Sequence, residues 1–446
     1  TGNDGFKYND NFNHSTWLTF MKNRLEVARE LLRDDGVNFV QCDHHEIGYL
    51  NVLLDEIFEK ENKIQQIAVK VASASGFKAV NPGPIDVLEN ILFYAKNKKN
   101  IVFEKSYVVA DYHRNYNQYL DNKSKNVDEW KLIPLKEKVL QEHSISEKEL
   151  RVKFGDTYTQ IIERMIKEFA FVNAKNVVSI RDLHKPTLQV KELQEKSRKI
   201  RNKFFVYKKQ DGDSTLIING GAIAFYSSKI REIDGALQVT ELLTNFWDHV
   251  SWAGIANEGG VTLKNGKKPE KLLKQLIEIA CDKNDIILDF FVGSGTTAAV
   301  AHKMGRQYIG IEQLDYGDND SIGRLKNVIA GDQTGISKSV NWQGGGSFIY
   351  CELMQWNEKI MQEIQKAKTA QDLLKIYENI KKQEFMRYEI KNFDIAEFEK
   401  LSIKHQKHIL CDCIDKNHLY VNLSEIDDKK YEVSKEDKEL NKKFFK

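Results

Sequence analysis

Apolar residues recur at helical spacing from Ser15 to Leu32 (Trp17, Leu18, Met21, Leu25, Ala28, Leu31, Leu32), with Ser15 or Thr16 placed to cap the first turn. Gly36 stops this helix, and the short apolar run Val37 to Cys42 reads as a strand. A helix over Glu46 to Phe58 and a strand over Lys63 to Val71 follow. Ala72 to Pro84, rich in Gly, Ser, Ala and Pro, is predicted as a loop, and Val87 to Ala95 as a strand that closes a hairpin. From about Lys96 to Thr240 the βαβ rhythm is lost among irregularly spaced aromatics and charges, as expected of an inserted domain. The rhythm resumes near Lys268. It continues through a helix at Ser321 to Ala330 and a strand at Ser347 to Leu353, after Gly344-Gly345-Gly346. Trp356 to Glu389 is charged and amphipathic helix, and the chain from Lys429 onward is a solvated, charged end.

Within this pattern residues 285–312 carry the most chemistry. Ile286-Ile287-Leu288 is a buried-type strand, Gly293-Ser294-Gly295 a tight turn, Thr296 to Met304 a helix, and Glu312 ends the next strand. Glycines let a ligand approach the backbone, and the helix start presents unpaired N–H groups. An acid in the place of Glu312 suits the two hydroxyls of a ribose. A tight connection in another α/β protein, or an NAD site, are the alternatives. Against NAD stand the spacing G-x-G-T-T, rather than G-x-G-x-x-G, and Asp289, which would repel a pyrophosphate. A carboxylate there suits a cationic cofactor such as S-adenosyl-L-methionine. The run Asp289-x-Phe291-x-Gly293-Ser294-Gly295-Thr296-Thr297 resembles the cofactor motif of DNA amino-methyltransferases acting on adenine N6 or cytosine N4.

Composition narrows the setting. The chain has 446 residues, room for two or three domains, and no run of eighteen apolar residues to span a membrane. Five scattered cysteines and no signal-peptide pattern point to a soluble protein of the reducing cytoplasm. With 67 basic and 65 acidic residues the net charge of +2 announces no nucleic-acid partner, so charge has to be read locally.

Beyond the glycine motif the chain resembles the modification (Mod) subunit of type III restriction-modification systems. The resemblance rests on Thr1-Gly2-Asn3-Asp4-Gly5-Phe6-x-Tyr8-x-Asp10, on Ser15-Thr16-Trp17-Leu18-x-Phe20-Met21-x-x-Arg24-Leu25, on Leu31-Leu32 before Gly36, and on Asp43-x-x-Glu46. Asn265-Gly266-x-Lys268-Pro269 and Gly344-Gly345-Gly346-Ser347-Phe348 with Tyr350 and Glu352 extend it, in the family's order. It implies an α/β fold: a Rossmann-like S-adenosylmethionine-dependent methyltransferase sheet with an inserted target-recognition domain and a helical C-terminal region. The expected divisions are 1–96 (catalytic half), 97–240 (target recognition, binding double-stranded DNA), 241–355 (cofactor half) and 356–446 (assembly). The implied activity is methylation of adenine N6, by a homodimer that joins a restriction (Res) subunit, with the helices from Trp356 as candidate contacts. Such helices also dimerise for purely structural reasons.

One element of the family is missing. Its catalytic Asp-Pro-Pro-Tyr, which holds a flipped adenine, precedes the Asn-Thr-Gly that this sequence enters at Thr1. The five prolines are Pro82, Pro84, Pro134, Pro186 and Pro269, and no two are adjacent. The expectation is therefore a cofactor site and scaffold without the base clamp, and a central sheet with a gap or exposed edge beside the cofactor strand. A catalytically inactive specificity module and a cytosine-N4 enzyme are the alternatives.

The residues sort accordingly. Phe290, Phe291, Gly293, Ser294, Gly295 and Thr296 are expected to cradle the cofactor, Asp289 to neutralise its cationic end and Glu312 to bind ribose. Lys268 is a candidate for the methionine carboxylate. Strand-end packing of Phe290 and Phe291 and a solvated Lys268 are the plainer readings. Asp43 and Glu46 fall at the active-site rim, although Asp43 as a helix cap explains them equally. The run 196–209 holds seven cations, no acid and three aromatics, so Lys196, Arg198, Lys199, Arg201, Lys203 and Tyr207 are candidate DNA contacts. His405-x-x-His408-x-x-Cys411-x-Cys413 matches no common zinc module, and His302 reads as a surface or satisfied histidine.

Overall fold

In a computed structural model, residues 14–73, 84–208, 214–263, 266–314, 316–317, 320–351, 356–382 and 395–414 are described, with residues 435, 438 and 439. The segment 1–10, most of the loop 72–84, Asn265, Glu352 and nearly all of the chain beyond 414 lie outside them. The chain divides into two compact units, one of residues 1–103 with 245–446 and one of residues 104–244.

The first unit opens with α1 (His14–Leu31), β1 (Val37–Cys42), α2 (Ile47–Phe58), β2 (Lys63–Lys70) and β3 (Leu88–Ala95). The helical spacing of Met21 and Leu25 puts one stripe of α1 against Leu50, Leu54 and Phe58 of α2, and Leu92 and Tyr94 of β3 complete the core. Tyr94 is buried to its hydroxyl, which donates to Asp55 at 2.6 Å. Lys96 donates its ammonium to the carbonyl of Leu32, closing the last turn of α1. The predicted hairpin is present: β2 and β3 pair antiparallel, and β3 pairs antiparallel with β1.

The second unit contains β4 (Tyr107–Val109), β5 (Gln118–Asp121), β6 (Lys131–Pro134), α3 (Leu135–Glu142), α4 (Glu147–Phe154), α5 (Tyr158–Val172), β7 (Val177–Arg181), α6 (Leu188–Lys199), β8 (Phe205–Lys208), β9 (Ser214–Ile218), β10 (Gly221–Phe225), β11 (Ile230–Ile233) and β12 (Ala236–Leu242). A six-stranded sheet runs β6-β5-β7-β10-β9-β8, and a smaller one β11-β12-β4. Two hairpins are set by turn chemistry. Asn219-Gly220 and Asp234-Gly235 each hold two successive positive φ values, the requirement of a two-residue turn that matches strand twist.

Back in the first unit come β13 (Phe246–Trp247), α7 (Glu270–Ala280), β14 (Ile286–Asp289), α8 (Thr296–Lys303), β15 (Gln307–Gly310), α9 (Ser321–Ile329), α10 (Trp356–Lys366), α11 (Ala370–Lys382), α12 (Ile395–Glu399) and α13 (Ile403–Ile414). β13 pairs parallel with β2, and β14 pairs parallel with β15 through α8. Among the described residues the strands thus hydrogen-bond as two ladders, β1-β3-β2-β13 and β14-β15, rather than as one continuous sheet. Ile286, Ile309 and Ile311 at the shorter ladder stay about half exposed. Ile360, Ile364, Leu373, Tyr377, Leu410 and Ile414 give α10, α11 and α13 a core of their own.

The strand expected at Ser347 to Leu353 is absent over 347–351, the part described. Gly344, Gly345 and Gly346 all have positive φ and carry the chain across α9, with Gly345 N–H donating to the Ile329 carbonyl. Beyond them no ladder forms among the described residues, and Ile349 is 90% exposed. No helix among the described residues is long and apolar enough to cross a membrane. Leu25→Ala, which empties a fully buried site between α1 and α2, is expected to lower the unfolding free energy of this unit by about 2–5 kcal/mol in a urea melt.

Candidate functional site

The site is built where β14 ends. Gly295 sits at φ 77, and a Cβ there would lie 2.8 Å from the backbone of Ser321, so both conformation and space demand glycine. Gly295 N–H returns to the Val292 carbonyl, and its own carbonyl accepts the first backbone bond of α8 from Ala299. This places the start of α8 directly behind the turn, with Ser294 and Thr296 buried.

Two carboxylates face this turn. Glu312 accepts from Gly293 N–H at 2.8 Å through one oxygen and from the N–H groups of Gln313 and Leu314 through the other. Asp289 accepts from Phe291 N–H at 3.0 Å and from the Thr297 side chain. Burial raises the Asp289 carboxyl above its ordinary value, those two hydrogen bonds pull it back, and the neighbouring charge of Glu312 raises it further. Two acids beside one turn favour a cation over a pyrophosphate.

The aromatic pair divides. Phe290 packs against the core of α1 and α2, which is the plainer of its two readings, whereas Phe291 is 46% exposed. Phe291 lies 5.9 Å from the stacked ring of Phe20, and the Arg24 guanidinium sits 3.5 Å above Phe20. Lys268 is engaged: its ammonium meets Glu89 of β3 at 2.6 Å and lies 5.5 Å from the Trp252 ring. Gln41 holds the same Glu89 oxygen at 2.7 Å. Gln41 and Glu89 are candidate site residues that no sequence motif announces, because only tertiary pairing brings them to the segment ahead of α7, whereas Phe20 lies within a family-like motif but its pairing with Phe291 is not legible there.

At the end of β1, Asp43 accepts from both the backbone and the ring of His45, while no side chain caps α2. Burial works against the Asp43 charge, but these bonds hold its carboxyl below the ordinary range. Glu46 is buried, and His44 pairs with Asp86. His302, expected at the surface or satisfied, is buried and satisfied: Tyr308 and the Gly345 carbonyl meet its two ring nitrogens. On α13, His408 pairs with Asp412 and Cys413 is buried.

In the second unit Lys196, Arg198 and Lys199 form the exposed last turn of α6, and Arg201 and Lys203 follow on the exposed connection to β8. Lys203 lies 4.0 Å from Asp128, and Tyr207 is half-buried with its hydroxyl on Gln189. Phe204 is withdrawn into the core, edge-on to Trp130, so the cations are presented without that ring.

Because the Asp289 carboxyl is raised in the folded state, its ionisation opposes folding above that raised value and ceases to do so below the unfolded value of about 4. Asp289→Asn is therefore expected to raise the melting temperature at pH 7–8, with the gain vanishing as pH falls below about 4 in paired thermal melts.

Comparison with known proteins gives the same direction. The DNA methylase family of N6 and N4 enzymes matches residues 1–316. A probable type III restriction-modification enzyme HindVI Mod subunit of Haemophilus influenzae is 35% identical across 100% of this chain and 63% of its own length. The EcoP15I Mod subunit of Escherichia coli is 27% identical across 73% of this chain and 55% of its own. The chain thus spans less than two thirds of these relatives. A crystal structure of an M1.HpyAVI–SAM complex aligns over 72% of this chain and 82% of that one, at 13% identity and a TM-score of 0.28, too distant to bear on fold or function. The family match covers both ladders and the glycine turn between β14 and α8, and on it the chain belongs to the N6/N4 DNA methylase family.

Proposed function

We propose that this chain is a type III modification-type DNA methyltransferase that directs a methyl group from S-adenosylmethionine to adenine N6. The observation that carries the reading is the pair of carboxylates, Asp289 and Glu312, set around a glycine turn at the start of α8. S-adenosylmethionine supplies, when bound, an electrophilic methyl group on a sulfonium. The residues present fit it. Asp289 provides negative charge for the cationic end, and its burial in a low-dielectric site strengthens that attraction. Glu312 is immobilised by three N–H groups and keeps lone pairs for ribose hydroxyls. Phe291 offers an exposed ring to a purine, and Lys268, by exchanging Glu89, reaches a carboxylate.

Methyl transfer between sulfonium and amine needs alignment more than proton transfer, so rigid placement of the turn is the chain's main contribution. Residues 97–240 act as target-recognition domain, with the cationic end of α6 on DNA phosphates. A homodimer and a Res subunit are its partners, in keeping with relatives that are Mod subunits.

Tritium transfer from S-adenosylmethionine to plasmid DNA tests the reading, using this chain with an Asp-Pro-Pro-Tyr-Asn segment fused ahead of Thr1. Label on N6-methyladenine is expected. Label on N4-methylcytosine reassigns the base, and no label with intact cofactor binding leaves a specificity module. Asp289→Asn is expected to weaken cofactor binding roughly tenfold, about 1.4 kcal/mol. Affinity of the unaltered chain should also fall on acidification from a higher pH than an ordinary aspartate gives. Replacing Lys196, Arg198 and Lys199 with alanine is expected to weaken binding about equally on all sequences. It should also flatten the slope of log affinity against log salt by roughly 0.9 for each phosphate no longer neutralised.

A further inference from the structure

Behind the glycine turn lies an ion network that the chemistry above does not use. Glu270, the first residue of α7, and Arg324 of α9 are both 0% exposed, and Lys303 at the end of α8 is buried beside them. Arg324 donates to Glu270 at 2.8 Å, and Lys303 donates to Glu270 at 3.0 Å and to Asp332 at 2.8 Å. The second Glu270 oxygen also accepts Ile336 N–H. The other end of the Arg324 fork donates to the Thr296 hydroxyl at 2.8 Å. Thr296 is the first residue of α8 and part of the cofactor motif.

Packing alone does not account for this arrangement. A buried ion pair is on average no more stabilising than apolar residues of the same volume. Apolar residues would not hold a hydroxyl oxygen. An arginine fork does, because its planar donors reach two acceptors on two helices at preset angles, a geometry that a lysine ammonium on a flexible stem does not preset. The space is also shaped for the guanidinium: Gly259 lies against it at φ 68, and a Cβ there would come within 2.5 Å of Nε. With its oxygen accepting from Arg324, the Thr296 hydroxyl is left to donate its own proton.

We propose that Arg324 is a positioning residue for the cofactor turn: held by Glu270, it fixes the Thr296 hydroxyl and with it the first turn of α8 against which the cofactor lies. The inference rests on the S-adenosylmethionine reading of that turn. Arg324 touches no reacting atom. Its effect reaches the cofactor through Thr296, so it falls on cofactor affinity and leaves DNA affinity unchanged.

Calorimetric titration of S-adenosylmethionine into the full chain tests this, on the unaltered protein, Thr296→Val, Thr296→Ser, Arg324→Lys and the Thr296→Val/Arg324→Lys pair, with plasmid affinity measured alongside. Thr296→Val and Arg324→Lys are each expected to weaken the cofactor about tenfold. The pair should be no weaker than the worse single variant, and Thr296→Ser, which keeps the oxygen, should restore affinity. Losses that multiply in the pair, or unchanged affinity in Thr296→Val, would overturn the proposal. If Arg324→Lys does not fold, amide hydrogen exchange over the first turn of α8 in Thr296→Val decides: faster exchange together with weaker cofactor supports it, and weaker cofactor with unchanged exchange, as loss of a direct contact alone would give, defeats it. Failure of the unaltered chain to bind S-adenosylmethionine removes the parent reading itself, whereas binding that ignores these substitutions removes this inference alone.

Discussion

Glu270 is a carboxylate with no access to water, and the elements from α7 to α9 are arranged around supplying it with partners. Desolvating a carboxylate costs several kcal/mol unless opposite charge and hydrogen bonds replace its hydration. Arg324 from α9, Lys303 from α8 and the N–H of Ile336 supply that replacement. Three helices are thereby fixed to one point, and Gly335 is the residue that makes room, since a Cβ there would run into the Glu270 carboxylate. Lys267, just ahead, is held by three backbone carbonyls, and burial lowers its ammonium to about 8. The turn between β14 and α8 inherits its rigidity from this anchorage rather than from its own residues, two of which are left-handed glycines with little conformational preference.

The face of that turn proposed to meet the cofactor has the opposite character. Asp289 and Glu312 bring two carboxylates to the turn, held by N–H and hydroxyl donors, while Arg324 and Lys303 are paired with Glu270 and Asp332 behind it. Phe291 and Phe20 add aromatic surface on one side, and the Lys268–Glu89 pair ties the segment ahead of α7 to β3 on the other. The elements nearest the turn therefore come from both halves of the first unit, α1 and β3 from one and β14 and α8 from the other. On the proposed reading, that is how a unit interrupted by residues 104–244 makes one site.

Much of this could be read from the residues. The helical stripe of α1, the hairpin of β2 and β3, and the strand-turn-helix around Gly293 to Gly295 are local patterns, and locally determined structure is what periodicity reports. Asn219-Gly220 and Asp234-Gly235 announce their hairpins just as plainly, although the surrounding aromatics and charges obscured them. The sequence did not show that Glu270 and Arg324 are buried. A charged residue at a helix start reads as solvated, and only the fold brings Arg324 to Glu270 from 54 residues away. The strand expected at Ser347 to Leu353 is missing over its described part, 347–351, for a related reason: its composition suits a strand, but a strand needs a neighbour, and after the three left-handed glycines none stands beside it among the described residues. Phe204 and Phe290 illustrate the same limit, since an aromatic beside charges or at a strand end serves core or ligand equally well until its neighbours are known.

An acidic glycine turn of this kind is expected to select a cationic nucleoside. Calorimetric titration of the unaltered chain with S-adenosylmethionine and, separately, with NAD tests it most directly. The expected result is saturable binding of S-adenosylmethionine and none of NAD at the same concentrations. Binding of NAD in preference, or of neither, would contradict the account.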